Sequence, residues 1–181
     1  GQGAVGEWAA KYPGTLGNSL KVSIADCNTW SGWAWTSSFD GQPNTSPYVN
    51  ARGGAGDEMH IVVADADGTW TGTAGTVLER FSYASKASDA KKPDGTSNYY
   101  RDVVNTQSKY IYWMDHSSNV TSTGRAFGAT ANTTAFANLT STGNVTHTLN
   151  GGVSADTPSD GNIQTALAIF SNDCLLYTSP S

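Results

Sequence analysis

The segment Glu-Met-His-Ile-Val-Val-Ala at residues 58–64 constrains the fold more than any other part of this chain. Its apolar part is nearly continuous and β-branched, and the turn-forming residues Asp65, Asp67 and Gly68 follow it directly. A short apolar run that ends in turn residues is typical of a strand buried on both faces. We therefore expect an α/β fold, in which helices pack on the faces of a sheet of apolar strands, rather than an open antiparallel sheet.

Hydrophobic spacing predicts the other elements. Alternating apolar residues indicate a strand over residues 20–27, and a short apolar run indicates another over residues 110–114. Apolar residues three and four positions apart predict helices over residues 5–12, 75–85, 98–107 and 162–171. Short extended pieces are expected at residues 33–39 and 69–73. The Ser/Thr/Asn/Gly-rich segment 117–157 is expected to be loop or irregular β-structure.

Charge and the length of the apolar runs argue against two classes of partner. Only 14% of the 181 residues are charged, against about 25% in an average domain. The net charge is -5, and the pair Lys91-Lys92 is the longest cationic run, so the footprint of a nucleic-acid binder is missing. The longest apolar runs are far shorter than the ~18 residues that span a bilayer. We expect one domain with neither direct nucleic-acid contact nor membrane insertion.

Aspartates end three of the predicted segments and are the strongest indication of an enzyme in the sequence. They are Asp26, Asp65, Asp67 and Asp115, and ligands bind at the carboxyl ends of strands in open α/β sheets. A hydrolase using Asp115, His116 and a serine is one interpretation, but G-x-S-x-G and an oxyanion motif are missing. Aspartate also caps turns, and we favour that interpretation.

No cofactor or metal motif is complete. The Gly-x-Gly-x-x-Gly sequence at residues 1–6 has no strand before it, and Asp65-Ala-Asp67-Gly68 lacks the later ligands of a calcium loop. Cys27 and Cys174 have no metal-ligand spacing, and His147 stands alone in a Thr-rich stretch. His60 lies within the apolar strand and is expected to be a core or interface residue. We predict no catalytic residue, no cofactor-binding residue and no metal ligand.

The aromatic residues of segment 30–39 leave two interpretations open. They are Trp30, Trp33, Trp35 and Phe39. Such a cluster could form a contact face for carbohydrate or protein, since aromatics are enriched at the cores of interfaces. It could equally pack over an edge of its own domain.

Several blocks resemble contractile phage tail sheath proteins of the large myovirus type. Residues 8–22 read Trp-Ala-Ala-Lys-Tyr-Pro-Gly-Thr-Leu-Gly-Asn-Ser-Leu-Lys-Val and are similar to the family segment A-x-Y-P-G-x-x-G-N-x-[LI]-x-V. Further blocks in the same order are residues 57–63, 72–79, 88–91, 94–100, 102–105, 108–113 and 149–152. The resemblance is collinear over roughly residues 5–172.

This resemblance implies a structural, non-enzymatic virion protein whose middle α/β domain resembles a subtilisin fold without the protease triad. Copies of such a protein assemble in the host cytoplasm into sixfold rings stacked helically around the tail tube. The expected partners are other copies, the tail tube protein, and the baseplate and tail terminator proteins. Contraction of the sheath drives the tube through the host envelope during genome ejection.

The resemblance also implies a fragment. Residues 1–173 are expected to form the middle sheath domain, truncated at both ends. Residues 174–181 resemble the translated sequencing-adapter read-through found at the ends of assembled metagenomic genes. Two alternatives remain beside the sheath interpretation: a serine hydrolase-like α/β enzyme, and a carbohydrate-binding adhesin module suggested by the Trp-rich and Thr/Asn-rich segments.

Overall fold

The computed structural model describes residues 6–140, 145–154 and 160–171. Six strands are present in this part of the chain: β1 (Trp8–Ala10), β2 (Leu20–Ala25), β3 (Glu58–Asp65), β4 (Val77–Ser85), β5 (Ile111–Trp113) and β6 (Thr146–Thr148). The helices are α1 (Pro47–Asn50), α2 (Tyr100–Gln107) and α3 (Asp160–Ser171), with single 3₁₀ turns at Thr15–Ser19 and Thr36–Ser38. Long loops join them.

The strands form two antiparallel sheets. One has four strands in the order β4-β3-β2-β6, and the other pairs β1 with β5. Ile24 of β2 lies opposite Ile61 of β3, and Leu20 lies opposite Asp65. The chain is a mixed α/β domain, as expected, but the expectation that its sheet would not be antiparallel is wrong.

β3 is buried on both faces, as the apolar run predicts. Alternate side chains, including Met59, Ile61 and Val63, enter the main core together with α2 and β5. Val62 and Ala64 point to the opposite face, where Trp33 covers them. A loop therefore covers the face that we expected a helix to cover, which explains why a doubly buried strand occurs here in an antiparallel sheet.

The predicted helix over residues 75–85 is wrong, because this segment is strand β4. Its register against β3 shifts between Met59 and Ile61 and again between Val63 and Ala64. At the first shift Tyr83 adopts a left-handed backbone conformation, with φ of 52°. Such bulges interrupt the two-residue alternation of a strand. The apolar residues of β4 therefore fall at spacings that imitate a helix.

The predicted helix over residues 5–12 is also wrong in the described part of the segment. Residues 8–10 form β1, and Trp8 lies opposite Trp113 of β5. Pairing with a strand about a hundred residues away outweighs the local spacing. Residue 5 lies outside the described residues.

Most of the other predicted strands and helices are present in the structure. The strands over residues 20–27, 58–64 and 110–114 and the helices over residues 98–107 and 162–171 are confirmed within a few residues. The extended pieces are wrong: residues 36–38 form a 3₁₀ turn, and residues 69–73 are turns. Segment 117–157 is irregular where it is described, with isolated bridges such as Val120 to Leu139 and the short strand β6.

Candidate functional site

The sheet separates the aspartates that were considered as an active site. Because β2 and β3 run antiparallel, Asp26 at the end of β2 and Asp65 at the end of β3 lie at opposite ends of the sheet. The juxtaposition expected for strand ends in a parallel sheet therefore does not occur. Each aspartate instead has its own separate set of hydrogen-bond partners, which for Asp26 includes a lysine 60 residues away.

Asp65 organises the turn that follows β3. Its carboxylate accepts hydrogen bonds from the N–H groups of Gly68, Trp70 and Thr71 and from the Thr71 hydroxyl, at 2.8–3.0 Å. Burial of Asp65 opposes ionisation, but the bonds from Thr71, Gly68 and Trp70 outweigh it and lower the pKa of the carboxyl. Asp67 accepts from the Ser19 hydroxyl and the Thr69 N–H. The turn-capping interpretation is confirmed for both residues.

Asp115 and His116 have different partners. The Asp115 carboxylate accepts from the backbone N–H of His116 at 2.7 Å, while the ring Nδ1 lies 2.6 Å from the Tyr100 hydroxyl oxygen. That oxygen also accepts from the Trp113 indole N–H, so the Tyr100 hydroxyl proton points to Nδ1. Burial lowers the pKa of His116. Within the described residues, the ring's hydrogen bonds go to Tyr99 and Tyr100 and none goes to a serine.

In the described part of the chain, no three His, Cys, Asp or Glu side chains lie close enough together to hold a metal ion. His147 lies 3.5 Å from a Glu7 carboxylate oxygen. Cys27 is half-buried, and burial raises the pKa of its thiol. Residues 1–5 of the glycine motif and Cys174 lie outside the described residues.

The sequence did not indicate a buried ion pair between Lys86 and Asp26. The ammonium Nζ lies 2.8 Å from Asp26 Oδ2, and both side chains are fully buried. Lys86 also donates to the carbonyl oxygens of Gly56 and Ala137, each at 3.0 Å. Asp26 Oδ2 additionally accepts from the N–H of Leu139 at 2.6 Å. The pair joins the ends of β2 and β4 to the loops around residues 56 and 137–139.

A second buried carboxylate adjoins this pair. Asp57 accepts from the backbone N–H of Ser46 and from the hydroxyls of Ser46 and Ser85, at 2.8, 2.8 and 2.5 Å. The Asp57 carbonyl accepts from the Lys86 N–H at 2.8 Å. Ser46 also caps α1 by accepting from the Val49 N–H. Together these groups fix the start of β3 and the end of β4.

His60 is a buried core residue, as predicted. Its Nδ1 accepts from the Tyr83 N–H at 3.1 Å, so in the neutral ring the proton sits on Nε2, which lies 2.9 Å from the Gly41 carbonyl oxygen. The ring stacks on Phe39 with centroids 4.1 Å apart. Burial lowers the pKa of His60, and the Gly41 carbonyl and Asp40 oppose it only in part.

The Trp-rich loop packs on the sheet of its own domain. Trp33 is 6% exposed, and its indole N–H donates to the Ser23 hydroxyl of β2 at 2.8 Å. Its ring centroid lies 5.7 Å from that of Trp35 and 5.5 Å from that of Phe39. For Trp33, therefore, the packing interpretation is confirmed.

A groove of about 450 Å³ opens beside the outer edge of β4. Its lining includes Tyr48, Glu58, Tyr83, Lys91, Lys92 and Asn98. Glu58 accepts from the Asn44 N–H at 3.0 Å. Burial raises the pKa of Glu58, with a smaller contribution from Asp57. We call this feature the lysine groove.

Comparisons with known proteins find a partial similarity to a phage tail protein. No family model matches the chain. A similar protein is the "Tail sheath protein" of Salmonella phage ViI, 31% identical over 85 residues, which is 46% of this chain. The aligned segment spans only 12% of that protein. Among the described residues, every helix is too short or too polar to cross a membrane.

Proposed function

We propose that the chain belongs to a structural subunit of a contractile viral tail sheath, which polymerises around the tail tube and shortens to drive the tube through the host envelope. One observation carries the proposal: the 31% identity over 85 residues to a phage tail sheath protein. The resemblance of the collinear blocks between residues 5 and 172 to the same family agrees with it.

The mechanical role requires a rigid unit whose contacts with its neighbours can be exchanged. Contraction is a transition between two packings of the same subunits, and packed interfaces have discrete arrangements rather than a continuous range. The Lys86–Asp26 pair, which bonds to loops on both sides of it, favours movement of the domain as one body. Head-to-tail contacts between such bodies generate a helical array.

The proposed partners follow from this role. They are other copies in sixfold rings stacked helically, the tail tube protein, and the baseplate and tail terminator proteins, within a virion tail assembled in the host cytoplasm. We propose that residues 1–173 are the middle domain of a longer sheath protein, related to the subtilisin fold, and that residues 174–181 are an assembly artefact. The proposed role needs no catalytic residue, cofactor or metal.

Polymerisation of the complete gene product tests the proposal. We expect the full-length protein, expressed alone, to form hollow helical tubes in negative-stain electron microscopy, in a long narrow state or a short wide one. A full-length product that stays monomeric at high concentration, or a natural stop codon soon after residue 170, would overturn the proposal. The 181-residue chain provides the comparison sample, which we expect to remain unpolymerised.

A further inference from the structure

The lysine groove is lined by two lysines whose ammonium groups form no ion pair within the described residues. Lys91 and Lys92 lie in a turn beside the edge of β4, where Lys91 forms a bridge with Ser97. Lys91 is exposed and Lys92 is half-buried. Neither ammonium makes an ion pair or a side-chain hydrogen bond in the described part of the chain. Lys92 nevertheless acts on the carboxyl of Asp94, whose pKa is lowered first by hydrogen bonds with Thr96 and to a smaller extent by the charge of Lys92.

Five of the other eight cations have partners in the described part of the chain. Lys86 and Arg101 have carboxylate partners at 2.8 and 3.0 Å. Lys11, Arg52 and Arg80 donate to backbone carbonyl oxygens. Lys21, Lys109 and Arg125 also make no ion pair or side-chain hydrogen bond within the described residues, so Lys91 and Lys92 are set apart by being adjacent to each other, in a chain whose net charge is -5.

Glu58 lines the groove but forms no ion pair with its lysines. Its carboxylate is held by the Asn44 N–H, and it is not within ion-pair distance of either lysine. A further positive charge lies close by, because the Arg52 guanidinium sits 3.5 Å above the ring of Tyr48, which lines the groove. The groove lining thus carries two lysines against the single carboxylate of Glu58, on a molecule whose net charge is -5.

We infer that the lysine groove receives a carboxylate-bearing segment of a second copy of this chain. The inference rests on the proposed function, since only a self-assembling subunit meets its own acidic surface at high local concentration. Charge complementarity is the argument, because the chain has 15 acidic and 10 basic residues and exposes aspartates such as Asp40 and Asp115. Opposite charges at an interface fix register and accelerate association, and salt weakens them.

A zero-length carbodiimide cross-linker tests this contact, because it joins an ammonium to a carboxylate only when the two touch. Full-length protein is polymerised from a mixture of ¹⁵N-labelled and unlabelled subunits, so that mass spectrometry distinguishes links between copies. We expect links from Lys91 or Lys92 to an aspartate or glutamate of another copy. Polymers in which other lysines form such links and these two do not would overturn the inference.

Charge reversal gives a second readout. We expect Lys91→Glu/Lys92→Glu full-length protein to polymerise more slowly and less completely at low salt, and the milder Lys91→Gln/Lys92→Gln variant to fall between it and the wild type. Lys109→Glu/Arg125→Glu is the matched control, because it makes the same charge change at two exposed residues outside the groove. Thermal unfolding checks that all variants fold.

The outcomes separate the two proposals. If wild-type full-length protein does not polymerise, both the proposed function and the groove inference are wrong. If the wild type polymerises and both charge-reversal variants behave alike at every salt concentration, only the groove inference is overturned. Slower polymerisation of the groove variant at low salt, which the control variant does not show, supports the inference.

Discussion

The Nζ atom of Lys86 lies 2.8 Å from Oδ2 of Asp26, and neither side chain has any exposed surface. Removing both charges from water is costly, so such a pair is tolerated only when further hydrogen bonds complete it. Here the Gly56 and Ala137 carbonyls accept the other ammonium protons, and the Leu139 N–H donates to the carboxylate. The pair is thus saturated and joins segments far apart in sequence.

Removing one partner should be severely destabilising. Lys86→Met leaves the Asp26 carboxylate buried without its cation, and we expect a loss of about 3–5 kcal/mol in the free energy of unfolding. Urea unfolding of the 181-residue chain, followed by circular dichroism, measures it. Arg101→Met breaks the exposed pair with Asp102, and such surface pairs contribute roughly 0–1 kcal/mol. Equal losses in the two variants would contradict our account of the buried pair.

Local signals explain which parts of the fold were predictable. The strand at residues 58–64 and the helix over 98–107 were predictable because their own apolar spacing matches their burial. β4 was missed because its bulges at Tyr83 and beside Ala64 disturb the two-residue period. β1 was missed because it is stabilised by pairing with β5, a partner distant in sequence.

Among the site residues too, roles that depend on sequence neighbours were predictable and roles that depend on distant partners were not. The capping role of Asp65 was predictable, because all the donors lie within six residues of it. The Lys86–Asp26 pair was not, because its members lie 60 residues apart and Lys86 is surrounded in sequence by small residues that are equally common on surfaces. Asp26 has both roles, because its Oδ1 accepts from the N–H groups of the turn that follows β2 and its Oδ2 pairs with Lys86, and only the turn-capping role is visible in the local sequence.

Asp65 should control the order of the turn after β3. In Asp65→Ala the N–H groups of Gly68, Trp70 and Thr71 lose their acceptor, so we expect their hydrogen exchange to accelerate. Asp65→Asn retains the size of the side chain and should show a smaller effect. Asp94→Ala is the control, because Asp94 caps only the turn to Thr96. Unchanged protection of the Asp65 turn would show that its backbone holds the conformation without the carboxylate.

Trp33 should act through packing. Because its ring covers one face of the sheet and its N–H bonds to Ser23, we expect Trp33→Ala to cost about 3–5 kcal/mol of stability. Trp35→Ala, at a half-buried position, should cost clearly less. Denaturant unfolding measures both. If the wild type bound a glycan on an array and a stable Trp33→Ala protein did not, the result would instead support the carbohydrate-binding alternative.

His60 should make the stability of the chain depend on pH. Its Nδ1 accepts from the Tyr83 N–H, inside the aromatic cluster. Protonation of Nδ1 would therefore break this hydrogen bond and place two N–H donors against each other. Burial lowers the pKa of His60 in the folded chain, whereas in the unfolded chain it lies near the ordinary value of about 6.5. Below about pH 6.5 the unfolded state therefore binds a proton that the folded state does not. Stability should be complete above that pH and should fall as the pH drops toward the folded-state pKa.

Urea unfolding between about pH 7.5 and about pH 5 measures this dependence. His60→Gln removes the titrating ring, and we expect its free energy of unfolding to change less with pH than that of the wild type. Some dependence should remain, since burial also lowers the pKa of His116. Phe39→Leu is the matched control, because it weakens the packing against His60 but keeps the imidazole. If His60→Gln retained the full wild-type dependence on pH, the buried neutral imidazole would not be its source.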